Sequence, residues 1–360
     1  MSNYSIEQTD AQLLDTSAKI RYHLHFDRAP QHILRVEMEI DDVSGNSLAV
    51  VMPSWMPGSY KIRELVANQG NVVITTGDGS TLEWHWTSKN RIEVNLAGAE
   101  KVRVCYTYFA NERGVRTSHI NRFHAYIMPV ACLMFAEGRT DEIHHLYFHY
   151  NRKTWKQFTS SLSPVRESIS DNEPIIVGAL NYDIVADSPI EIGNHSVREF
   201  EVLGAKHELA IMGNQDVDID WLAGEVRRIV EVEHKFWGEL PYDRYVFMLL
   251  VGEGQRGGLE HARCNVSAVE PSAFRDKSTA QGMLTLLVHE YFHTWNIKRI
   301  RPSELGPFDY SNENYTRMLW LAEGFTSYYD DFLTYRCGFL TRDEYLMTIS
   351  QHHLGRLERI

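Results

Sequence analysis

One short segment combines residue types and spacing that suit metal chemistry: His289-Glu290-Tyr291-Phe292-His293. On a helix, side chains four positions apart stand on the same face, one turn from each other, so both imidazoles can bind one tetrahedral ion. Glu290 cannot share that face, but its carboxylate can reach a water beside the metal. Two histidine ligands and a glutamate general base indicate zinc-dependent hydrolysis.

The residues before this segment make metal binding a better explanation of the two histidines than coincidence. Positions 283–288 are apolar, which predicts a buried helix from about Thr279 to Asn296. The simplest alternative is a helix that carries two histidines for no chemical reason. Burying His289, Glu290 and His293 together is unfavourable unless something pairs with them, and one Zn²⁺ per chain does so.

A third ligand is predicted at Glu323, 30 positions after His293 and inside the otherwise apolar segment 320–325. That distance leaves room for a loop and a returning helix. A catalytic zinc takes three protein ligands and keeps one position open. We therefore predict His289, His293 and Glu323 as the metal ligands, with a plain helix-surface role for Glu323 as the alternative.

The side chains that would support such a site are less determined. Thr326 or Ser327, close to Glu323 on its helix, either donates a hydrogen bond near the metal or faces solvent. A tetrahedral oxyanion needs a stabilising group besides the metal, and the sequence does not identify it. Tyr328 and Tyr329 are expected to pack or to lie outside the site.

A glycine-rich segment follows the apolar strand predicted at Tyr245–Val251. Gly257 and Gly258 permit close approach of another backbone, so an extended peptide can lie there as an added strand. Glu260 can then hold the amino-terminal ammonium of that peptide as a charge-assisted pair, which is the property of an aminopeptidase. For the glycine-rich segment taken alone, a plain turn is the more common explanation.

The periodicity of the chain predicts an α+β fold with two domains. Apolar and polar residues alternate at 20–26, 34–40 and 102–108, which predicts an antiparallel β-sandwich in residues 1–186. Helical periodicity and a buried strand predict a second, α/β domain in residues 187–360, which contains the candidate metal ligands. Its helices are expected at Ile219–Trp237, Thr279–Asn296 and Tyr315–Tyr335 and after a capping box at Thr341. The last helix is still running at Ile360, which predicts a truncated domain.

Composition narrows the class of protein. The chain has 360 residues and a formal net charge of −12, which argues against a nucleic-acid surface and mildly favours a cationic ligand. No apolar run is long enough to cross a membrane. The four cysteines form no CxxC pair and no secretory signal is apparent, so a cytoplasmic location is expected. The sequence does not indicate an oligomeric state.

Two segments resemble the gluzincin clan of metallopeptidases, which includes the aminopeptidase N family. They are HEYFHTWN and WLAEGF, in which Trp295 and Glu323 occupy the clan's positions. The segment GGLEH stands where that family has GAMEN, with His261 in place of asparagine. The chain is more similar to the glycyl aminopeptidase family, PDZ-bearing gluzincins, at His293–Pro302, Pro53–Tyr60 and Asp187–Gly193.

The resemblance implies an N-terminal β-sandwich, a thermolysin-like catalytic domain, one zinc ion, and removal of amino-terminal glycine or alanine from peptides with a free amino terminus. The PDZ domain and further helices of that family have no counterpart in these residues. Three alternatives remain open: a zinc endopeptidase, a non-catalytic zinc-stabilised binding module, and a hydrolase of non-peptide substrates.

Overall fold

The computed structural model describes residues 17–166, 170–213 and 216–355. These residues form two compact units. The first contains residues 17–194 together with Pro307–Asn314, and the second contains His195–Gly306 together with residues 315–355.

The first unit is built almost entirely from short strands. They are β1 Ile20–His25, β2 Ile33–Asp41, β3 Ser47–Val51, β4 Gln69–Thr76, β5 Trp84–Trp86, β6 Arg91–Asn95, β7 Lys101–Phe109, β8 His119–Ile120, β9 Ala125–Ile127, β10 Phe135–Ala136, β11 His144–His149, β12 Gln157–Ser160, β13 Ser163–Arg166, β14 Ile175–Ala179 and β15 Ile190–Gly193. Two short helices, α1 Pro129–Cys132 and α2 Tyr182–Ala186, connect them.

The strands of this unit form three sheets. Seven strands pair in the order β13-β14-β11-β1-β2-β7-β4, and two four-stranded sheets have the orders β10-β3-β6-β5 and β12-β15-β9-β8. One pair departs from the predicted antiparallel arrangement, because β1 and β11 are parallel. These two strands are far apart in the sequence, so no hairpin forces them to run in opposite directions.

Alternation in the sequence becomes alternation in burial. In β1 every second residue is buried and the residues between them are half-buried, as a sheet with one covered face requires. The buried tyrosines of this core keep their hydroxyls satisfied. Tyr22 donates to the carbonyl of Met134 at 2.8 Å, and Tyr182 donates to the carbonyl of Leu133 at 2.7 Å. The hydroxyls of these two buried tyrosines are therefore paired to backbone carbonyls.

The second unit has one five-stranded sheet. Its strands are β16 Ser196–Val202, β17 Ala205–Met212, β18 Arg244–Val251, β19 Gly257–Glu260 and β20 Cys264–Val269, in the spatial order β16-β17-β18-β20-β19. β18 is parallel to both of its neighbours, and seven of its eight residues are buried. The prediction of a strand covered on both faces at Tyr245–Val251 is confirmed.

Four helices accompany this sheet. They are α3 Ile219–Trp237, α4 Lys277–Phe292, α5 Thr326–Arg336 and α6 Arg342–Thr348. Two π-helical segments, Trp320–Phe325 and Ile349–Leu354, lie directly before α5 and after α6. α3 has the predicted bounds, and the capping box at Thr341 is present. Within the described residues, no helix combines the length and apolar character needed to cross a membrane.

Two predictions for these helices were wrong in detail. The helix expected from Tyr315 begins only at the π-helical segment, because Thr316 accepts a hydrogen bond from the backbone of Met318 and so holds a turn there. Phe236, expected on the buried stripe of α3, is 39% exposed. It lies near the end of that helix and contacts Phe292 and Tyr329.

Candidate metal centre

The two histidines of the HExxH segment stand together at the C-terminal end of α4. The Nε2 atoms of His289 and His293 are 3.1 Å apart, and their rings are nearly perpendicular. The helical hydrogen bond from the backbone of His293 to the carbonyl of His289 is retained at 3.3 Å, so the four-residue spacing places both rings on one face. The structure therefore places the two predicted histidines side by side.

Glu323 reaches the same point from the π-helical segment Trp320–Phe325. Its Oε2 atom lies 3.7 Å from Nε2 of His289 and 3.7 Å from Nε2 of His293. A π-helical turn is wide and uncommon, and such turns occur frequently at functional sites. The structure therefore brings all three predicted ligand side chains together, from two separate helical segments.

The spacing of these three atoms suits a zinc ion. A point equidistant from the corners of this triangle lies about 2.0 Å from each, which is the length of a zinc bond to nitrogen or oxygen. Two neutral imidazoles and one carboxylate are also a donor set that zinc accepts. Among the described residues, the two groups of possible ligand side chains each contain three members, and His289, His293 and Glu323 form one of them.

Each histidine has a partner that fixes its orientation. Nδ1 of His289 lies 2.7 Å from Oδ2 of Asp330, on α5, and Nδ1 of His293 lies 3.0 Å from the backbone carbonyl of Asn296. Both contacts place a proton on Nδ1 and leave Nε2 free to bind a metal.

The electrostatic surroundings of the two rings differ. Burial tends to lower the pKa of His289, but the hydrogen bonds to Asp330 and Glu323 outweigh it and raise that pKa well above its ordinary value. Burial lowers the pKa of His293, and nearby Glu260 only partly compensates. The position beside His289 therefore stabilises positive charge, which a metal cation supplies.

A second group of possible ligand side chains shares His293 with the first. Glu260, Glu290 and His293 are buried, and their ligand atoms lie within 4.8 Å of one another. Gly258 packs directly on the Glu290 side chain, because a Cβ atom at this glycine would overlap with the carboxylate of Glu290. Gly258 thus allows the carboxylate to lie against the backbone of β19.

The glycine-rich segment forms a sheet edge. β19 contains Gly257 to Glu260, and within the described part of the chain its one partner is β20, at the end of the sheet order. Gly257 has a φ of 93°, a left-handed conformation that favours glycine. An edge strand offers unpaired backbone groups to an added strand, and here that strand ends on a buried carboxylate, Glu260.

Sequence reasoning missed two residues of the site. Asp330 and Asn296 were assigned no role, yet they contact the two histidines. Thr326, one of the two alternatives considered beside Glu323, is fully buried, and its hydroxyl lies 3.4 Å from Nδ1 of His293. Asp330 falls seven residues after Glu323, and this two-turn spacing on one helix face was the signal available.

The two tyrosines near Glu323 differ in environment. Tyr329 stacks on Phe292 and packs against the core of the second unit. Tyr328 is 45% exposed and lies near His353.

Comparison with known proteins identifies two family models along the chain. Residues 21–194 match the Peptidase M61 N-terminal domain, and residues 282–359 match the M61 glycyl aminopeptidase model. No curated protein matches the chain.

Solved structures of aminopeptidases and a related metallopeptidase are similar to this chain in fold. An aminopeptidase N family protein from Idiomarina loihiensis is 27% identical, with a TM-score of 0.85 over 91% of this chain. The chain spans 56% of the length of that protein. Aminopeptidase A from Legionella pneumophila, solved with aspartic acid, is 13% identical (TM-score 0.56, covering 88% of this chain and 38% of that one). An M1 zinc metallopeptidase from Deinococcus radiodurans is 12% identical (TM-score 0.53, covering 89% and 70%).

Proposed function

Because the chain belongs to the M61 glycyl aminopeptidase family, we propose that it is a zinc-dependent aminopeptidase. The observation that carries the proposal is the convergence of three donor atoms, from His289, His293 and Glu323, with the Glu290 carboxylate in the adjoining group. The family is one of metallopeptidases, and its members' substrates are peptides.

His289, His293 and Glu323 would hold one zinc ion. Zinc, when bound in such a site, lowers the pKa of water toward neutrality and polarises a carbonyl group. Asp330 holds the ring of His289 through a charge-assisted contact, and the carbonyl of Asn296 holds that of His293. These contacts keep both Nε2 atoms directed at the same point, so little reorganisation precedes binding.

Glu290 would act as the general base and then the general acid. Its carboxylate takes a proton from the attacking water as oxygen bonds to the scissile carbonyl carbon. It returns that proton to the amine nitrogen as the carbon–nitrogen bond breaks. Glu290 is only 5% exposed, and its contact with Gly258 limits where the carboxylate can move.

Glu260 would select a free amino terminus. Two buried carboxylates, Glu260 and Glu290, lie close together, and this arrangement is unfavourable unless a proton or a cation joins them. The ammonium of a peptide lying along β19 supplies such a cation at the end of the strand. A small first residue, glycine or alanine, is the substrate class that we propose, on the strength of the family resemblance.

The finer organisation of the chain is part of the same proposal. We infer a β-sandwich domain over residues 1–186 and a thermolysin-like catalytic domain over residues 187–360, close to the division of the compact units at residue 194. The four cysteines, all described and none in a disulfide, fit the proposed cytoplasmic location.

The experiment compares paired substrates with metal content on the same preparation. Zinc should be present at one ion per chain, and a glycyl or alanyl reporter peptide should be cleaved while its acetylated form is not. Glu290→Gln should retain zinc and lower turnover by about 10²- to 10⁴-fold. Equal cleavage of the acetylated peptide would support an endopeptidase instead, and zinc binding without cleavage of any peptide would support a non-catalytic zinc module.

A further inference from the structure

We propose that Asn296 is a positioning residue that fixes the distance between His293 and Glu323 and thereby sets the affinity of the centre for zinc. The proposal rests on the proposed zinc-binding function. It concerns a residue just beyond α4 that is not one of the possible ligand side chains. Its contacts instead join the segment after α4 to the π-helical segment that carries Glu323.

The backbone of Asn296 holds one ligand. Its carbonyl oxygen accepts the hydrogen bond from Nδ1 of His293 at 3.0 Å, which fixes the tautomer and the tilt of that ring. The backbone nitrogen of Asn296 in turn donates to the carbonyl of Phe292 at 3.2 Å, so the residue is anchored to the end of the helix.

The side chain of Asn296 holds the segment that carries the other ligand. Its amide nitrogen lies 2.9 Å from the carbonyl oxygen of Leu321, 3.2 Å from that of Ala322 and 3.1 Å from the hydroxyl of Thr326. Leu321 and Ala322 are the two residues directly before Glu323. One amide group therefore fixes the backbone on which the Glu323 carboxylate stands.

Thr326 completes the connection. Its hydroxyl donates to the carbonyl of Ala322 at 2.6 Å and also lies 3.4 Å from Nδ1 of His293. Asn296 is 5% exposed and Thr326 is fully buried, so water competes little for these contacts. The same small network thus contacts the ring of His293 and the turn before Glu323.

The backbone after Asn296 carries a conformation that such a role explains. Ile297 has a φ of 104°, which is rare for a residue branched at Cβ. Its backbone nitrogen donates to the carbonyl of Ile300 at 3.1 Å, which closes a tight loop behind Asn296. Conformations of this kind persist where the surroundings require them, and this one stands directly after Asn296.

The test measures the zinc dissociation constant by competition with a chelator. The visible spectrum of the Co²⁺-substituted protein and the melting temperature of the metal-free protein are recorded as well. We compare wild type, Asn296→Ala, Asn296→Asp and Thr326→Val. Thr334→Val is the matched control, because Thr334 is fully buried on the same helix and its hydroxyl has no hydrogen-bond partner in the described residues.

We expect Asn296→Ala to weaken zinc binding about 10- to 100-fold and to alter the Co²⁺ bands. Asn296→Asp should weaken it at least as much, because a carboxylate cannot donate to the carbonyls of Leu321 and Ala322. Thr326→Val should have a smaller effect in the same direction, and Thr334→Val should bind zinc as wild type does. If Asn296→Ala does not fold, the zinc affinities of the two threonine variants are compared. Weaker binding by Thr326→Val than by Thr334→Val supports the proposal, and equal affinities overturn it.

A purely structural role predicts another pattern. In that case the Asn296 variants would melt at lower temperature but bind zinc within about twofold of wild type, with an unchanged Co²⁺ spectrum, and the proposal would be overturned. If wild type itself binds no zinc, the proposed function fails first. The two failures are therefore distinguishable.

Discussion

Two histidines, one in each compact unit, have opposite acid–base properties. His144, on β11 of the first unit, is fully buried, and burial lowers its pKa to about 4. His289, on α4 of the second unit, is half-buried, yet its pKa is raised well above the ordinary value because Asp330 and Glu323 outweigh burial. The same side chain is therefore neutral in one unit and favours positive charge in the other.

The neighbours of the two rings account for this difference. His144 packs beside the rings of Tyr22 and Tyr182, and its Nδ1 contacts the backbone carbonyl of Glu142. No carboxylate hydrogen-bonds to it among the described residues, so burial dominates. His289 has two carboxylates in contact. The core around His144 serves only packing, and it excludes charged groups. A metal centre instead concentrates acidic side chains, and burying them lowers the stability of the fold.

The largest loss of activity is expected for a substitution at Gly258, which packs directly on the Glu290 side chain. Gly258→Ala would force the Glu290 carboxylate away from β19, and a displacement of about 1 Å can lower kcat on the order of 10²-fold. Gly282→Ala is the control, since Gly282 lies on α4 with open space at its Cβ position. Steady-state kinetics on a glycyl reporter peptide measures both. Equal kcat values for the two variants would disprove the close contact.

Asp330→Asn tests the charge beside His289 directly. The asparagine oxygen can still accept from Nδ1, so the geometry is retained while the negative charge is lost. Zinc affinity should fall about 10- to 100-fold. Asp331→Asn is the matched control at the next position, because Asp331 contacts His353 instead. The prediction fails if competition with a chelator gives both variants the affinity of wild type.

His144→Phe tests the other side of the comparison. The unfolded chain binds a proton on this histidine below pH 6.5, and the folded chain does so only near pH 4, so stability falls as the pH decreases through this window. At pH 5 the loss from this one group is about 2 kcal/mol. Urea unfolding at pH 7 and pH 5 should show a smaller decrease for the variant than for wild type. An identical decrease would mean that His144 does not titrate as described.

The smallest effect concerns substrate recognition. Glu260→Gln removes a charge-assisted contact with the substrate ammonium and should raise KM for a free-amine peptide about tenfold, while kcat changes less. The acetylated peptide, measured as a competitive inhibitor, provides the internal control, because it has no ammonium to lose. If the variant discriminates between the two peptides as wild type does, Glu260 does not bind the amino terminus.

Local signals in the sequence predict local structure well. Ile219–Trp237 is found with its predicted bounds because both ends carry explicit caps: the side chain of Asp218 accepts from the backbone of Trp221, and Gly238 takes the left-handed conformation that ends a helix. The three donors at 289, 293 and 323 could be named because their types and spacing match zinc chemistry.

The contacts that orient those donors depend on tertiary structure. Asp330 meets His289 only because α5 packs against α4, and Asn296 contacts the π-helical segment across a loop of unpredicted shape. The π-helical turn itself has no sequence signature that distinguishes it from an α-helix, so the wide turn that carries Glu323 could not be foreseen. Periodicity fixes which residues share a face, but not which faces meet.

Zinc titration of the purified chain and of Glu323→Ala, monitored by equilibrium dialysis, tests the metal centre most directly. We predict one zinc ion per wild-type chain and binding that is strongly weakened in the variant, because one of three converging donors is lost. Tight stoichiometric binding that persists in Glu323→Ala, and equally in variants of His289 and His293, would contradict this account.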